Sequence, residues 1–284
     1  MNGLRGTPGG RARRGLSRLE VLVILAVIAI IPALAIPAAM KARRNALAMQ
    51  DATQLKQLAA AVVTFTRDWD GEFPLPSRAL LRREGTEEAQ EDFTLNHSAN
   101  IYSAMVMQNY VTPQILVSPV EVSPHVRVKG GGDSDPYDWG AYDTFEGKLW
   151  DDTFVMHIHD PAVGANGSYA HLAAVGDRRR VALSEATVPL FGNRAPGPAP
   201  GAHERSPTLR FHPPYDVWVG NVIFTDNHVA TLENFFAGSP VDNIYAADGE
   251  HPMGAQAAAD AFLAIYISAT EFTVEDVYDP LDPE

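Results

Sequence analysis

From Val21 to Met40 the chain runs twenty residues without a charged side chain, and this stretch constrains the fold more than any other. At about 1.5 Å of helical rise per residue it reaches roughly 30 Å, the thickness of a bilayer's hydrocarbon core. Inside hydrocarbon a single segment satisfies its own backbone polar groups only as a helix. A cleaved secretory core is shorter, about 7–15 residues. Arg5, Arg11, Arg13 and Arg14 precede the run, while Lys41, Arg43 and Arg44 follow it. The balance keeps the N-terminal side in the cytoplasm by the positive-inside tendency. The reading is one transmembrane helix at about 19–40, with the body outside. Residues 1–15, rich in Gly and Arg and free of acidic residues, read as a basic leader rather than as fold.

Two features set this span apart from a generic anchor. Glu20 sits at its cytoplasmic edge, where an ionisable group is costly without a partner. Pro32 and Pro37 interrupt its helical hydrogen bonding, which membrane helices tolerate when neighbours supply donors.

Beyond Lys41 the pattern becomes amphipathic. Met49, Ala52, Leu55, Leu58 or Ala59, Val62, Phe65 and Trp69 recur at three- or four-residue spacing, the stripe of a helix that packs on a sheet. Arg43, Arg44, Asp51, Lys56 and Arg67 mark the opposite, exposed side. The helix is expected to be continuous from about 17 to 68 within a 16–70 segment, bent near Pro37, and to stop at Asp70-Gly71-Glu72-Phe73-Pro74, a cluster of helix breakers.

The remainder, 71–284, reads as an α+β domain. Residues 76–95 look charged and irregular, and Asn100–Tyr110 reads as a short helix. Thr112–Pro119 looks like a strand bounded by prolines. Further strands are expected at 152–159, 168–175 and 186–191. The clearest signal is residues 219–232, which alternate apolar and polar around Asp226-Asn227, the pattern of a hairpin with a tight turn. Fold class is therefore α+β, a long N-terminal helix packed on an antiparallel sheet.

Composition narrows function by exclusion. With 22 basic and 35 acidic residues the formal charge is −13, and an acidic body without a basic stripe argues against nucleic acid as a partner. The chain has no cysteine, which removes disulfides, thiolate metal sites and cysteine nucleophiles. Neither a Gly-x-Ser-x-Gly elbow nor a His-Glu-x-x-His pair occurs, and the chain does not read as an enzyme. No cofactor is implied. His212, Asp226 and His228 are chemically suited to Zn²⁺ or another divalent metal, against the plainer reading that Asp226 caps a turn. His157 and His159, with Asp151, Asp152 and Asp160, pose the same choice on an ordinary strand. Asp242, Asp248 and Glu250 offer oxygen ligands of the kind Ca²⁺ takes, without EF-hand spacing.

The stretch Arg13-Arg14-Gly15-Leu16-Ser17-Arg18-Leu19-Glu20 and the apolar run behind it resemble the class III signal of type IV pilins and type II secretion pseudopilins. Leu16, Ser17 and Arg18 stand where the family usually has Phe, Thr and an aliphatic residue. The resemblance implies that a prepilin peptidase cuts between Gly15 and Leu16 and methylates the new N-terminus. Glu20 then becomes the fifth residue, able to neutralise the terminal amine of an adjacent subunit in a filament. Pro37 falls where the family carries a helix-bending proline. The Asp70–Pro74 turn resembles the helix end of pilin-like proteins, and the 219–232 hairpin resembles that of planctomycete-type members with a large C-terminal domain. Implied is a non-enzymatic subunit of a short periplasmic filament for protein secretion. Its expected partners are other pilin-like subunits, the prepilin peptidase and the inner-membrane secretion platform. The rival readings are a bitopic anchored domain with a binding or enzymatic role, and a true type IV pilus subunit.

Overall fold

A single helix, α1 (Arg18–Asp68), accounts for 51 residues. The computed structural model describes residues 17–69, 71–85, 90–121, 123–132, 135–136, 149–156, 164–173, 188–194, 218–235, 244–245 and 263–266. The chain divides into two compact units, Met1–Asn45 and Ala46–Glu284. In the first, Leu22, Leu25, Ile28, Ile31 and Leu34 on α1 are 59–71% exposed, and Leu19, Ile30 and Ile36 lie open as well. Those positions cover the whole circumference of the helix, since successive residues turn by about 100°. This helix is long and apolar enough to cross a membrane.

In the second unit α1 buries Asp51, Leu55, Leu58, Ala59, Ala61, Val62, Phe65 and Thr66. The aliphatic stripe is where the spacing predicts it. Two assignments on it are corrected. Met49 is 72% exposed, whereas Asp51 is fully buried. Asp51 lies four residues before Leu55, so helical geometry carries it onto the same stripe despite its charge. The helix ends as expected, with Gly71 at φ 84° and its N–H donating to Thr66 O.

Residues 76–95 are more ordered than their charge suggests. They hold α2 (Pro76–Glu84), which buries Pro76, Ser77, Ala79 and Leu81 and ends on a left-handed Gly85, and a 3₁₀ turn at Phe93–Leu95. Proline suits the first helical turn, whose N–H has no helical acceptor. Helix α3 (Ser98–Met107) is buried along its whole length, as a helix with little amphipathicity should be. The expected strand at 112–119 is instead a 3₁₀ turn, Pro113–Leu116. Proline at its start fixes φ near the helical value, which outweighs the β-preference of Ile115 and Val117. The described part of the expected strand at 152–159, residues 152–156, is turn and irregular chain.

A two-residue pair, β1 (Gly131–Gly132) and β2 (Asp135–Pro136), stands apart. The main sheet comprises β3 (Tyr169–Leu172), β4 (Pro189–Asn193), β5 (Gly220–Phe224), β6 (Val229–Leu232) and β7 (Leu263–Ala264) in the order β6-β5-β4-β3-β7. Every pairing is antiparallel. Strand β3 falls within its predicted window, 168–175, and β4 overlaps the one at 186–191 but runs on to Asn193. The predicted hairpin is β5–β6, paired from Gly220↔Leu232 to Ile223↔Val229 and turned through Asn227 at φ 69°. Leu55, Leu58 and Val62 of α1 share one core with Ile101, Met105, Tyr169, Phe191, Val222 and Leu263. The class is α+β, a long N-terminal helix and an antiparallel sheet.

Candidate functional site

Ser17 and Glu20 open α1 with a reciprocal pair of bonds. The Ser17 N–H donates to Glu20 Oε2 at 2.7 Å, and the Glu20 N–H donates to Ser17 Oγ at 3.2 Å. This is a capping box, which satisfies two N–H groups that the helix leaves without acceptors. The carboxylate expected to act between subunits therefore also closes its own helix. The signal was present in the sequence as Ser-x-x-Glu. Pro37 lies inside α1. Gly15 and Leu16 fall outside the described residues.

The body unit holds a second polar centre that periodicity did not reveal. Asp51 Oδ1 accepts from the Ser118 hydroxyl, from the Tyr169 hydroxyl at 2.8 Å and from Asn193 Nδ2 at 3.0 Å. Its Oδ2 accepts from Asn221 Nδ2 at 2.8 Å. Four donors on the loop after the 3₁₀ turn, β3, β4 and β5 converge on one helical carboxylate, about as many as a carboxylate accepts. Burial pushes the Asp51 carboxyl above its ordinary range, against the downward pull of the Ser118, Asn221, Asn193 and Tyr169 bonds. The donors are neutral, so the centre is a desolvated carboxylate in a cradle of dipoles.

A third centre is His171 on β3. Its Nδ1 lies 2.9 Å from Leu172 O, which can only accept, so Nδ1 carries the proton. Nε2 then accepts from the Ser98 hydroxyl at 2.8 Å, and Ser98 Oγ accepts from Tyr266 N–H at 2.8 Å. The ring is walled by Phe73, Tyr102 and Tyr266, and burial lowers its pKa to about 4. A fully buried Ser–His pair ties α3 to β3 and to the chain just beyond β7. Elsewhere in the core, Glu121 and Arg194 form a buried bidentate ion pair at 2.7 and 2.8 Å.

Of the proposed metal ligands, the structure brings Asp226 and His228 together at the hairpin tip. Asp226 Oδ1 accepts from the His228 N–H at 3.0 Å and lies 2.5 Å from its Nδ1, and the imidazole stacks on Phe224. The His228 bonds hold the Asp226 carboxyl below its ordinary range. This is the turn-capping role. His212, His157, His159, Asp160, Asp242, Asp248 and Glu250 lie outside the described residues. Asp151 caps a turn through Thr153, and Asp152 accepts from the Trp150 indole. Among the described residues, no group of three or more His, Asp or Glu side chains is placed to hold a metal. No protein-family model, curated protein or solved structure matches the chain.

Proposed function

We propose that the chain is a pilin-like filament subunit of the pseudopilin kind, anchored by α1 and built for assembly rather than catalysis. One observation carries the reading. The first half of α1 is apolar and exposed on every side, and its only acidic residue is Glu20, in the first turn. Such a surface is stable in lipid or against like helices, and an acid at its end is worth its desolvation only when a cation meets it. The α+β body supports the same reading, as an antiparallel sheet sharing its core with the second half of the helix is the arrangement expected of a pilin-like fold.

In this reading a prepilin peptidase cuts between Gly15 and Leu16, and the new amine pairs with Glu20 of a neighbouring subunit. In a low-dielectric bundle that pair fixes register, because leaving either charge alone is costly. Residues 1–15 face the cytoplasm and the body faces the periplasm or the exterior. The secretion platform and other pilin-like subunits are the partners.

The deciding experiment is mass spectrometry of the mature N-terminus, with and without the cognate peptidase. A terminal peptide beginning at N-methylated Leu16, lost when the peptidase is absent, is the expected result. An intact terminus would replace this reading with a bitopic anchored domain, and a cut beyond residue 35, which removes most of the apolar run, would overturn it as well.

A further inference from the structure

The buried stripe of α1 is nearly self-similar. Moving the helix along its axis by one turn, about 5.4 Å, lays Leu55 where Asp51 was, Leu58 or Ala59 where Leu55 was, and Val62 where Leu58 was. Apolar burial is non-directional, so it distinguishes these placements weakly. One slot beneath the helix is different, because it is lined by the four donors that meet Asp51.

The donors are themselves held in place. Asn193 Oδ1 accepts the backbone N–H of Asn221 at 2.6 Å, which turns the Asn193 amide N–H₂ toward Asp51. Asn221 Oδ1 accepts from the Thr231 hydroxyl at 2.7 Å, which does the same for Asn221. The Asn221 Nδ2 also donates to Ala48 O at 3.1 Å, so it reads the helix at a second point three residues earlier. The Ser118 N–H is tied to Ser168 Oγ at 2.7 Å. With Leu47 or Leu55 in this slot, four residues to either side, the Ser118, Asn193 and Asn221 donors face aliphatic carbon, and each buried unmet donor costs free energy; the Tyr169 hydroxyl also lies 2.9 Å from Gln54 Oε1.

We propose that Asp51 is a register pin: its contacts with Ser118, Tyr169, Asn193 and Asn221 select one placement of α1 on the sheet, out of several that the aliphatic stripe alone would permit. Selection of register, rather than net stability, is the contribution proposed for it. Desolvation of the carboxylate is the largest influence on its ionisation and opposes the charged form, and buried charges held at such a cost are known to specify arrangement in other systems. The inference stands independently of whether the chain is processed at Gly15.

The test uses the full-length chain in detergent micelles with two nitroxide labels, at Lys56→Cys on the exposed side of α1 and Glu233→Cys beyond β6, both exposed. No native cysteine interferes. Pulsed dipolar spectroscopy is expected to give one narrow distance with Asp51 present. In Asp51→Leu the distribution splits or broadens, with a component displaced by about 5 Å, while unfolding remains cooperative. If Asp51→Leu does not fold, Asp51→Asn is read in its place; its amide keeps the size of the side chain and sets an N–H₂ against either the Asn221 donor or the Ser118, Tyr169 and Asn193 donors, which meet the other oxygen. A single unchanged distance in the variant that is read overturns the pin. Loss of cooperative unfolding in both variants also overturns it, by making the cluster a source of stability.

Discussion

Glu20 has two duties, and single substitutions separate them. Gln at this position retains the capping box, which accepts either Glu or Gln, but removes the charge. Ser17→Ala breaks the box and keeps the charge, at a cost of about 1 kcal/mol to the helix end. Under the proposed function Glu20→Gln leaves the protein in the membrane and abolishes its incorporation into filaments, whereas Ser17→Ala still incorporates; co-purification with a tagged second copy reads both. The opposite ranking would assign Glu20 to helix capping alone. His171 gives a pH dependence with a definite sign. Its folded pKa, about 4, lies below the ordinary value near 6.5. As pH falls below about 6.5 the unfolded chain takes up a proton that the folded chain refuses, so stability drops until about pH 4. The full loss is about 3 kcal/mol. Denaturant midpoints measured from pH 7 to 4 should show it, and His171→Gln should flatten that part of the profile.

At the scale of elements, the end of α1 is held by rings. Phe65 stacks on Trp69 with centroids 5.2 Å apart and meets Tyr110 at 5.1 Å. Phe65→Ala should cost about 3–5 kcal/mol, read from chemical denaturation. In β4, a Cβ added at Gly192 would stand 2.7 Å from the Tyr245 hydroxyl and 2.8 Å from a Leu263 methyl. Gly192→Ala should therefore destabilise by about 1–3 kcal/mol through overpacking, with thermal unfolding as the measure. Elements with a strong period or a strong breaker were legible in the sequence: α1 and its stop at Gly71, the β5–β6 hairpin with Asn227 in the left-handed region, and strands β3 and β4. Those whose composition misled were not. The charged surface of α2 concealed a buried face at Ala79 and Leu81, and Pro113 converted a β-rich segment into a 3₁₀ turn. The charge of Asp51 points to the exposed side of α1, while its register points inward. Counting back four residues from Leu55 places it inside. Its partners come from segments 67–170 residues away, a convergence that no local pattern contains.

For the molecule as a whole, the division at Asn45 and Ala46 separates the exposed, apolar first half of α1 from an acidic body. A chain beginning at Ala46 retains Asp51 and the whole aliphatic stripe, and it should fold and partition into the aqueous phase of a detergent phase separation. The full chain should enter the detergent phase. Recovery of the shortened chain in the detergent phase would mean that the body itself carries a lipid-binding surface. The Asp51 cradle also governs how such a chain can diverge. Asn193 orients itself on the backbone of Asn221 while both amides face Asp51, so none of the three is free to drift alone. Substitutions tolerated at one position will depend on what occupies the other two, and in a library of variants the three should change as a linked set or stay fixed together.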